Sequence, residues 1–271
     1  MSAPERLRAA GTALIHRAGD GPELPVVLLH GIGSNAESWS AVLSALSHRV
    51  SAFAWDAPGY GDSEPLADPS PRPADYADRL RFILDELGLG QVVLAGHSLG
   101  CLFAGAFAAR YPDRVRVLAL LSPALGYGIG PGEPLPKGVQ LRLDDLAALG
   151  PAGMAEKRAA RLVHDAERKP EALAAVRRAM AAIRPEGYAQ AVRALAAGDL
   201  LADARALEIP VSVTIGLEDV VTPPSNAQAV RAVLRHPLKA RDLIGVGHAV
   251  PQEEPATVAK VLRGLATRAL E

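Results

Sequence analysis

The sequence predicts an α/β fold: a mostly parallel sheet with helices on both faces and an inserted helical cap. Three observations predict it. Short apolar runs alternate with segments of helical spacing over most of the chain, which is the rhythm of βαβ units. One apolar run, Gln91–Ala95, passes through Gly96-His97-Ser98-Leu99-Gly100 into Leu99–Arg110, a stretch of small and apolar residues without Pro. From Leu141 to about Leu201 the alternation stops, and an Ala- and Arg-rich block carries helical patterns with no strand.

The elements follow in order. Leu7–His16 supplies one or two short antiparallel edge strands, and Gly19-Asp20-Gly21-Pro22 a turn. Pro25–Leu29 is a continuous apolar run, so a buried strand. A helix over Ala36–Ser47 carries Trp39, Val42, Leu43 and Leu46 on one face, with Trp39 read as core. Arg49–Trp55 is the next strand, and Asp56–Ser63, punctuated by Pro and Gly, is a loop. Pro65–Pro73 is a surface stretch. Tyr76–Leu87 has Leu80, Ile83, Leu84 and Leu87 at helical spacing. The Gln91–Arg110 unit comes next, then the strand Arg116–Leu121.

Ala124–Pro136 holds four Gly and three Pro and breaks the rhythm. The helical block after it has breaks near Gly150-Pro151, Lys169-Pro170 and Arg184-Pro185. Pro210–Ile215 resumes the strands, followed by a helix over Ala227–Leu234, a strand over Ala240–Ile244 and a closing helix over Glu254–Leu270. The expected organisation is a core of residues 1–123 and 203–271, with the cap over 124–202.

Bulk properties narrow the function. A chain of 271 residues can bury a large core. Its formal net charge is −1 with both signs mixed, so nothing in it points to a nucleic-acid surface or a polybasic membrane anchor. No apolar run approaches the roughly 20 residues of a membrane span, and the N-terminus MSAPERLRAAG lacks the apolar stretch of a signal peptide. Cys101 is the single cysteine, so no intrachain disulfide forms. The expectation is a cytoplasmic protein acting on a small molecule, without nucleic-acid or membrane partners.

The chemistry centres on Ser98. A strand, a sharp turn and a helix around G-x-S-x-G force the Ser into a strained conformation at the strand end. Gly96 and Gly100 let the flanking backbones approach. A Ser hydroxyl is a weak nucleophile until a base takes its proton, and the His that does so needs a carboxylate to fix its tautomer. Ser98, Asp219 and His248 each follow a predicted strand at its carboxyl end, where open parallel sheets build their sites. Their chain order, Ser then Asp then His, suits this arrangement.

Five segments carry a wider resemblance: HGIGSN at 30–35, DAPGYGDS at 56–63, GHSLG at 96–100, GLEDVVTPP at 216–224 and GVGHAVPQEEP at 245–255. On these the chain resembles the α/β-hydrolase superfamily, serine hydrolase branch, over nearly its whole length. Arg184-Pro185-Glu186-Gly187-Tyr188 and Gly198-Asp199-Leu200 are similar to the cap of 3-oxoadipate enol-lactonase relatives. The resemblance implies an eight-stranded core, Ser98 as nucleophile, Asp219 as acid and His248 as base. It implies an oxyanion hole made by the N–H groups of Ile32 and Leu99. No His, Cys and Asp cluster has metal-ligand spacing, so no metal is expected, and the chemistry needs no cofactor. The implied activity is hydrolysis of a small carboxylic ester or lactone. The alternatives are C–C hydrolysis of a ring-cleavage product, which Ala249 disfavours because those relatives often carry Trp there, and a non-catalytic ligand-binding member of the fold. Asp at the elbow, as in dehalogenase and epoxide hydrolase relatives, is absent.

Other residues compete for roles. Glu218 and Asp203 are rival acids to Asp219. Asp56 precedes the nucleophile and reads as a structural loop residue. His30 reads as orienting its loop, and His97 as pointing away from Ser98. His16, His48, His164 and His236 read as surface residues. Arg158 and Arg161 share a helix face, where they meet either solvent or a substrate carboxylate. Cys101, where many relatives have Gly, should face the core.

Overall fold

A computed structural model describes residues 4–46 and 48–268. Eight strands form one sheet: β1 (Glu5–Ala9), β2 (Thr12–Arg17), β3 (Val26–Leu29), β4 (Ala52–Trp55), β5 (Val92–His97), β6 (Val115–Leu121), β7 (Val211–Gly216) and β8 (Arg241–Leu243). Their spatial order is β1-β2-β4-β3-β5-β6-β7-β8. β1 pairs β2 antiparallel and β2 pairs β4 antiparallel, while every other pair is parallel.

The apolar runs at β3, β5 and β6 are continuous because the sheet is covered on both faces. Side chains alternate along a strand, so Val26 and Leu28 enter one core and Val27 and Leu29 the other. On the first face lie α1 (Ser40–Ala45) and α10 (Pro255–Arg268), through Val42, Leu43, Leu262 and Leu265. On the second lie α2 (Pro73–Glu86), α3 (Leu99–Arg110) and α8 (Pro224–Val233), through Leu80, Phe103, Phe107 and Val230. Trp39 and Cys101 are buried. The Cys101 thiol faces Gly96 O at 3.1 Å, and burial pushes its pKa up.

Between β6 and β7 the chain is helical: α4 (Lys137–Arg158), α5 (Pro170–Ala181), α6 (Pro185–Ala197) and α7 (Leu200–Ala206). Each expected break has a local cause. α4 kinks at Gly150, whose φ of 63° suits a residue without Cβ. α5 and α6 open with Pro170 and Pro185 at their first position, where the missing N–H has no intrahelical acceptor to lose. α7 crosses the expected boundary at residue 203 and packs its Leu200 against Gly105 of α3.

Several ends differ from expectation. The Ala36 helix begins as a 3-10 turn, Ala36–Trp39, with the Ala36 N–H donating to Asp56 Oδ1 at 2.8 Å. Its expected end at Ser47, like the expected end of α10 at Leu270, lies outside the described residues. α2 starts three residues early, because Asp75 Oδ2 accepts from the Arg72 N–H at 2.6 Å and Pro73 pre-sets the first turn. Strand β4 is shorter than expected and α9 (Val250–Glu253) is a separate turn before α10.

Candidate active site

Ser98 sits between β5 and α3 with φ 54° and ψ −116°, a conformation that costs a non-Gly residue energy. The strain is held by backbone bonds. The Ser98 N–H donates to Leu121 O at 2.9 Å, and Ser98 O accepts from the N–H groups of Cys101 at 3.0 Å and Ala124 at 3.3 Å. Close packing leaves no room for side chains at the two motif glycines. A Cβ on Gly96 would lie 2.4 Å from Gly100 O, and one on Gly100 would lie 2.3 Å from Leu29 O.

The loop after β3 comes against the same turn. A Cβ on Gly31 would lie 3.0 Å from Ser98 Cβ. His30 spans this loop: its Nδ1–H donates to Gly31 O at 2.8 Å and its Nε2 accepts from the Ala57 N–H at 3.0 Å. Burial pushes the His30 pKa down to about 4, so it holds this neutral tautomer at neutral pH. In a trans peptide the N–H points opposite to the C=O. Holding Gly31 O through His30 therefore turns the Ile32 N–H the other way, and holding Ser98 O turns the Leu99 N–H likewise. The Tyr60 hydroxyl donates to Ile32 O at 2.6 Å and fixes the next peptide. Leu99 also opens α3, where N–H groups have no acceptor within the helix.

His248 follows β8 in a loop clamped from several sides. Its Nδ1 lies 2.9 Å from Asp219 Oδ2. Asp219 stands in the turn after β7, where its Oδ1 accepts from the N–H groups of Val221 at 2.8 Å and Thr222 at 2.9 Å. Burial alone would raise the Asp219 pKa. The bond and charge of His248, with the two backbone N–H groups, outweigh it and hold the carboxyl at about 2. Asp219 therefore stays ionised throughout the neutral range.

Ser98, His248, Ile32 and Leu99 line one cavity of about 640 Å³. Asp219 lies behind His248. Among the described residues no hydrogen bond joins Ser98 Oγ to the imidazole; catalytic contacts of this kind commonly tighten only around substrate. The cap closes the cavity with Met154, Leu162, Val176, Met180, Tyr188 and Leu195.

The rival acids fall elsewhere. Glu218 Oε2 accepts from the Val246 N–H at 3.1 Å, so it braces the loop rather than the ring. Asp203 stands on α7 beside Gly105. Asp56 caps the Ala36 turn. His97 has a role that the sequence reading did not give it. Its Nε2–H donates to His248 O at 2.8 Å, the two rings lie 5.0 Å apart, and it lines the cavity. Burial, with the charge of His248, lowers the His97 pKa to about 3, so it braces the loop as a neutral ring. His16 is half-buried and stacks on Phe53, not on the open surface. Arg158 ends α4 and Arg161 stands in the 3-10 turn after it, so they share no single helix face, yet both reach the cavity.

Thr222 has a role at the site that its motif, GLEDVVTPP, does not announce. Its Oγ1 lies 2.9 Å from Asp219 Oδ2, 3.1 Å from His248 Nδ1 and 3.0 Å from Ser122 O. Only the folding of one turn against β6 brings these together. Among the described residues no group of three or more His, Cys, Asp or Glu could hold a metal ion, and no helix is long and apolar enough to cross a membrane.

Comparison with known proteins identifies the fold family. The family model for the alpha/beta hydrolase fold matches residues 25–255. A thermophilic esterase from Thermogutta terrifontis, solved with malate bound, is 26% identical with a TM-score of 0.85, covering 98% of this chain and 99% of its own. The enol-lactonase of Burkholderia xenovorans is 24% identical with a TM-score of 0.83, covering 97% and 100%, and so shares the fold. A 2-hydroxy-6-oxononadienedioate/2-hydroxy-6-oxononatrienedioate hydrolase of Pseudomonas putida is 38% identical over 130 residues, 45% of this chain and 44% of that protein. The curated relatives are matched over less than half of their own length. An uncharacterised Mycobacterium tuberculosis protein, 41% identical over 106 residues, is matched over 30% of its length and 39% of this chain.

Proposed function

The chain belongs to the alpha/beta hydrolase fold family, and on that premise we propose that it is a serine hydrolase cleaving a small carboxylic ester or lactone through an acyl-enzyme on Ser98. One observation carries this reading. A strained serine at a strand-to-helix turn shares a cavity with an imidazole whose far nitrogen is 2.9 Å from a buried carboxylate. The esterase similarity supports an ester, and a lactone is the cyclic form of the same bond.

In this mechanism His248 takes the Ser98 proton as the oxygen attacks the carbonyl carbon. Asp219 holds the imidazole with its Nδ1 protonated and stabilises the charge it gains. The Ile32 and Leu99 N–H groups receive the oxyanion, a donor of this kind being worth about 3–4 kcal/mol. His248 then protonates the leaving alcohol. Deacylation repeats the sequence with water as the nucleophile, and the acid and free enzyme are released. No cofactor takes part.

The test is turnover of p-nitrophenyl acetate and of small lactones by wild type and Ser98→Ala. Loss of all but residual turnover in the variant, with Tm unchanged, supports the reading; retained turnover contradicts it. A second reading, C–C hydrolysis of a ring-cleavage product, has the Pseudomonas putida similarity in its favour. Ala249, a small buried residue beside the imidazole, leaves the ester reading ahead. Bleaching of a ring-fission dienolate by purified enzyme at a higher kcat/KM than any ester would reverse that order. A purely ligand-binding protein would show no turnover on any of these substrates.

A further inference from the structure

The charged groups on the cavity wall are unbalanced. Arg142, Lys157, Arg158 and Arg161 line it, against the single carboxylate of Asp145. Asp145 is buried and already committed: Oδ1 accepts from Lys157 Nζ at 2.7 Å, and Oδ2 from Arg158 Nε at 3.1 Å, with Arg158 Nη2 on the same oxygen. Gly138, Arg142 and Asp145 fall on one face of α4, because residues three and four apart share a helix face. Arg142 is thus one turn from the carboxylate that would ordinarily pair with it, and that carboxylate is taken.

Among the described residues Arg142 has no ion pair. It is half-buried and lines the cavity beside Gly138 and Leu141 of the same helix. That puts an unpaired guanidinium on the cavity wall. Arg161 lines the same cavity, its Nη2 3.5 Å from Val220 O next to the Asp219 turn. A guanidinium kept partly out of water with no partner is costly, and an anion arriving with the substrate offsets that cost. Guanidinium presents a planar fork that matches a carboxylate two bonds at a time.

We infer that this cavity takes substrates carrying a free carboxylate besides the bond that is cleaved, with Arg142 as the residue that reads it and Arg161 as a second cation at the mouth. The substrate class is then the half-ester or lactone of a dicarboxylic acid. This rests on the hydrolase reading only for which bond is broken; the anion site itself is a matter of binding.

Calorimetric titration of Ser98→Ala tests it without turnover. The probes are the straight-chain dicarboxylates from succinate to suberate, each against its uncharged dimethyl ester. At least one diacid should bind about tenfold or more tighter than its diester, the size expected of one charge-assisted contact. Arg142→Gln in the same background should erase that ratio, and Arg142→Lys should keep part of it, since the charge stays and the fork is lost. Binding of no diacid, equal binding of diacid and diester, or an unchanged ratio in Arg142→Gln would overturn the inference. With wild type, the matching readout is kcat/KM for the p-nitrophenyl half-ester of the best diacid relative to an uncharged p-nitrophenyl ester of equal length. Failure to turn over either ester counts against the hydrolase reading and leaves the titration result standing.

Discussion

Thr222 holds one hydroxyl within reach of an acid, a base and a backbone carbonyl. Its single hydrogen serves one acceptor at a time, either Ser122 O or Asp219 Oδ2, while its lone pairs can share the His248 Nδ1–H with Asp219. Removing the hydroxyl therefore loosens the pair that orients the imidazole. Thr222→Val should lower kcat by about tenfold, the net worth of one good hydrogen bond, and Thr222→Ser should restore most of it. Asp219→Asn should cost about 10⁴ in kcat, because the amide presents the wrong hydrogen-bonding group to Nδ1. Glu218→Gln, which keeps an acceptor for the Val246 N–H, should stay within a few-fold. Steady-state kinetics on one ester reads all four variants. Ser98, Asp219 and His248 were legible in sequence because each stands in a short motif at a strand end. Thr222 and His97 were not, because their partners Ser122 O and the His248 ring and carbonyl come from other loops, and no spacing along the chain encodes that meeting.

The elements carry the site by close approach. Gly100 lets α3 touch the end of β3, and a Cβ there would meet Leu29 O at 2.3 Å. Backbone cannot yield as a flexible side chain can, so Gly100→Ala should cost more than about 2 kcal/mol. Gly90, in the turn before β5, has nothing within 4 Å of its would-be Cβ, so Gly90→Ala should fall within about 0.5 kcal/mol of wild type. Thermal melts of the two variants check the pair. The His248 loop is tied to the cap in a similar way. Buried Glu253 accepts from the Gly247 N–H at 3.0 Å, the His164 N–H at 3.2 Å and Lys169 Nζ at 2.7 Å, and the Ala249 N–H donates to Leu162 O. Glu253→Gln should lower Tm, toward the small end of the ~3–5 kcal/mol typical of breaking a buried ion pair because Lys169 keeps some solvent. It should lower kcat as well, since the same carboxylate steadies the residue before His248. Pro170 and Pro185 announced where cap helices begin. The early start of α2 and the 3-10 turn at Ala36 were hidden, because the carboxylates of Asp75 and Asp56 set them through backbone N–H groups.

For the whole molecule, buried titratable groups shape stability against pH in opposite senses. Burial holds His30 and His97 neutral, with pKa values pushed to about 4 and about 3. The unfolded chain takes up those protons below about 6.5, so the stability tied to neutral rings is lost as pH falls from there through the folded values. Asp203 acts the other way. Burial, with Asp199 nearby, raises its carboxyl to about 6 from an ordinary 3.8, so ionising it in the fold carries a penalty that grows as pH rises through 6. Asp203→Asn should therefore raise Tm relative to wild type at pH 8 and much less at pH 4; an equal shift at both would show that this carboxyl is not perturbed. The buried parallel strands and the helical block between β6 and β7 were readable from apolar runs and their interruption, since a sheet covered on both faces writes itself as continuous Val, Leu and Ala. The balance of charge inside the cavity was not, because Asp145 pairs with Lys157 and Arg158 across the kink of α4, and that pairing, which leaves Arg142 alone on the cavity wall, exists only in the folded helix.

The most direct measurement is acid-quenched peptide mapping by mass spectrometry during turnover of p-nitrophenyl acetate. The mechanism requires an acetyl group on the peptide that contains Ser98, appearing and decaying at the rate of turnover and absent from Ser98→Ala. Acetyl on another residue with those kinetics, or steady hydrolysis with Ser98 never acylated, would contradict it.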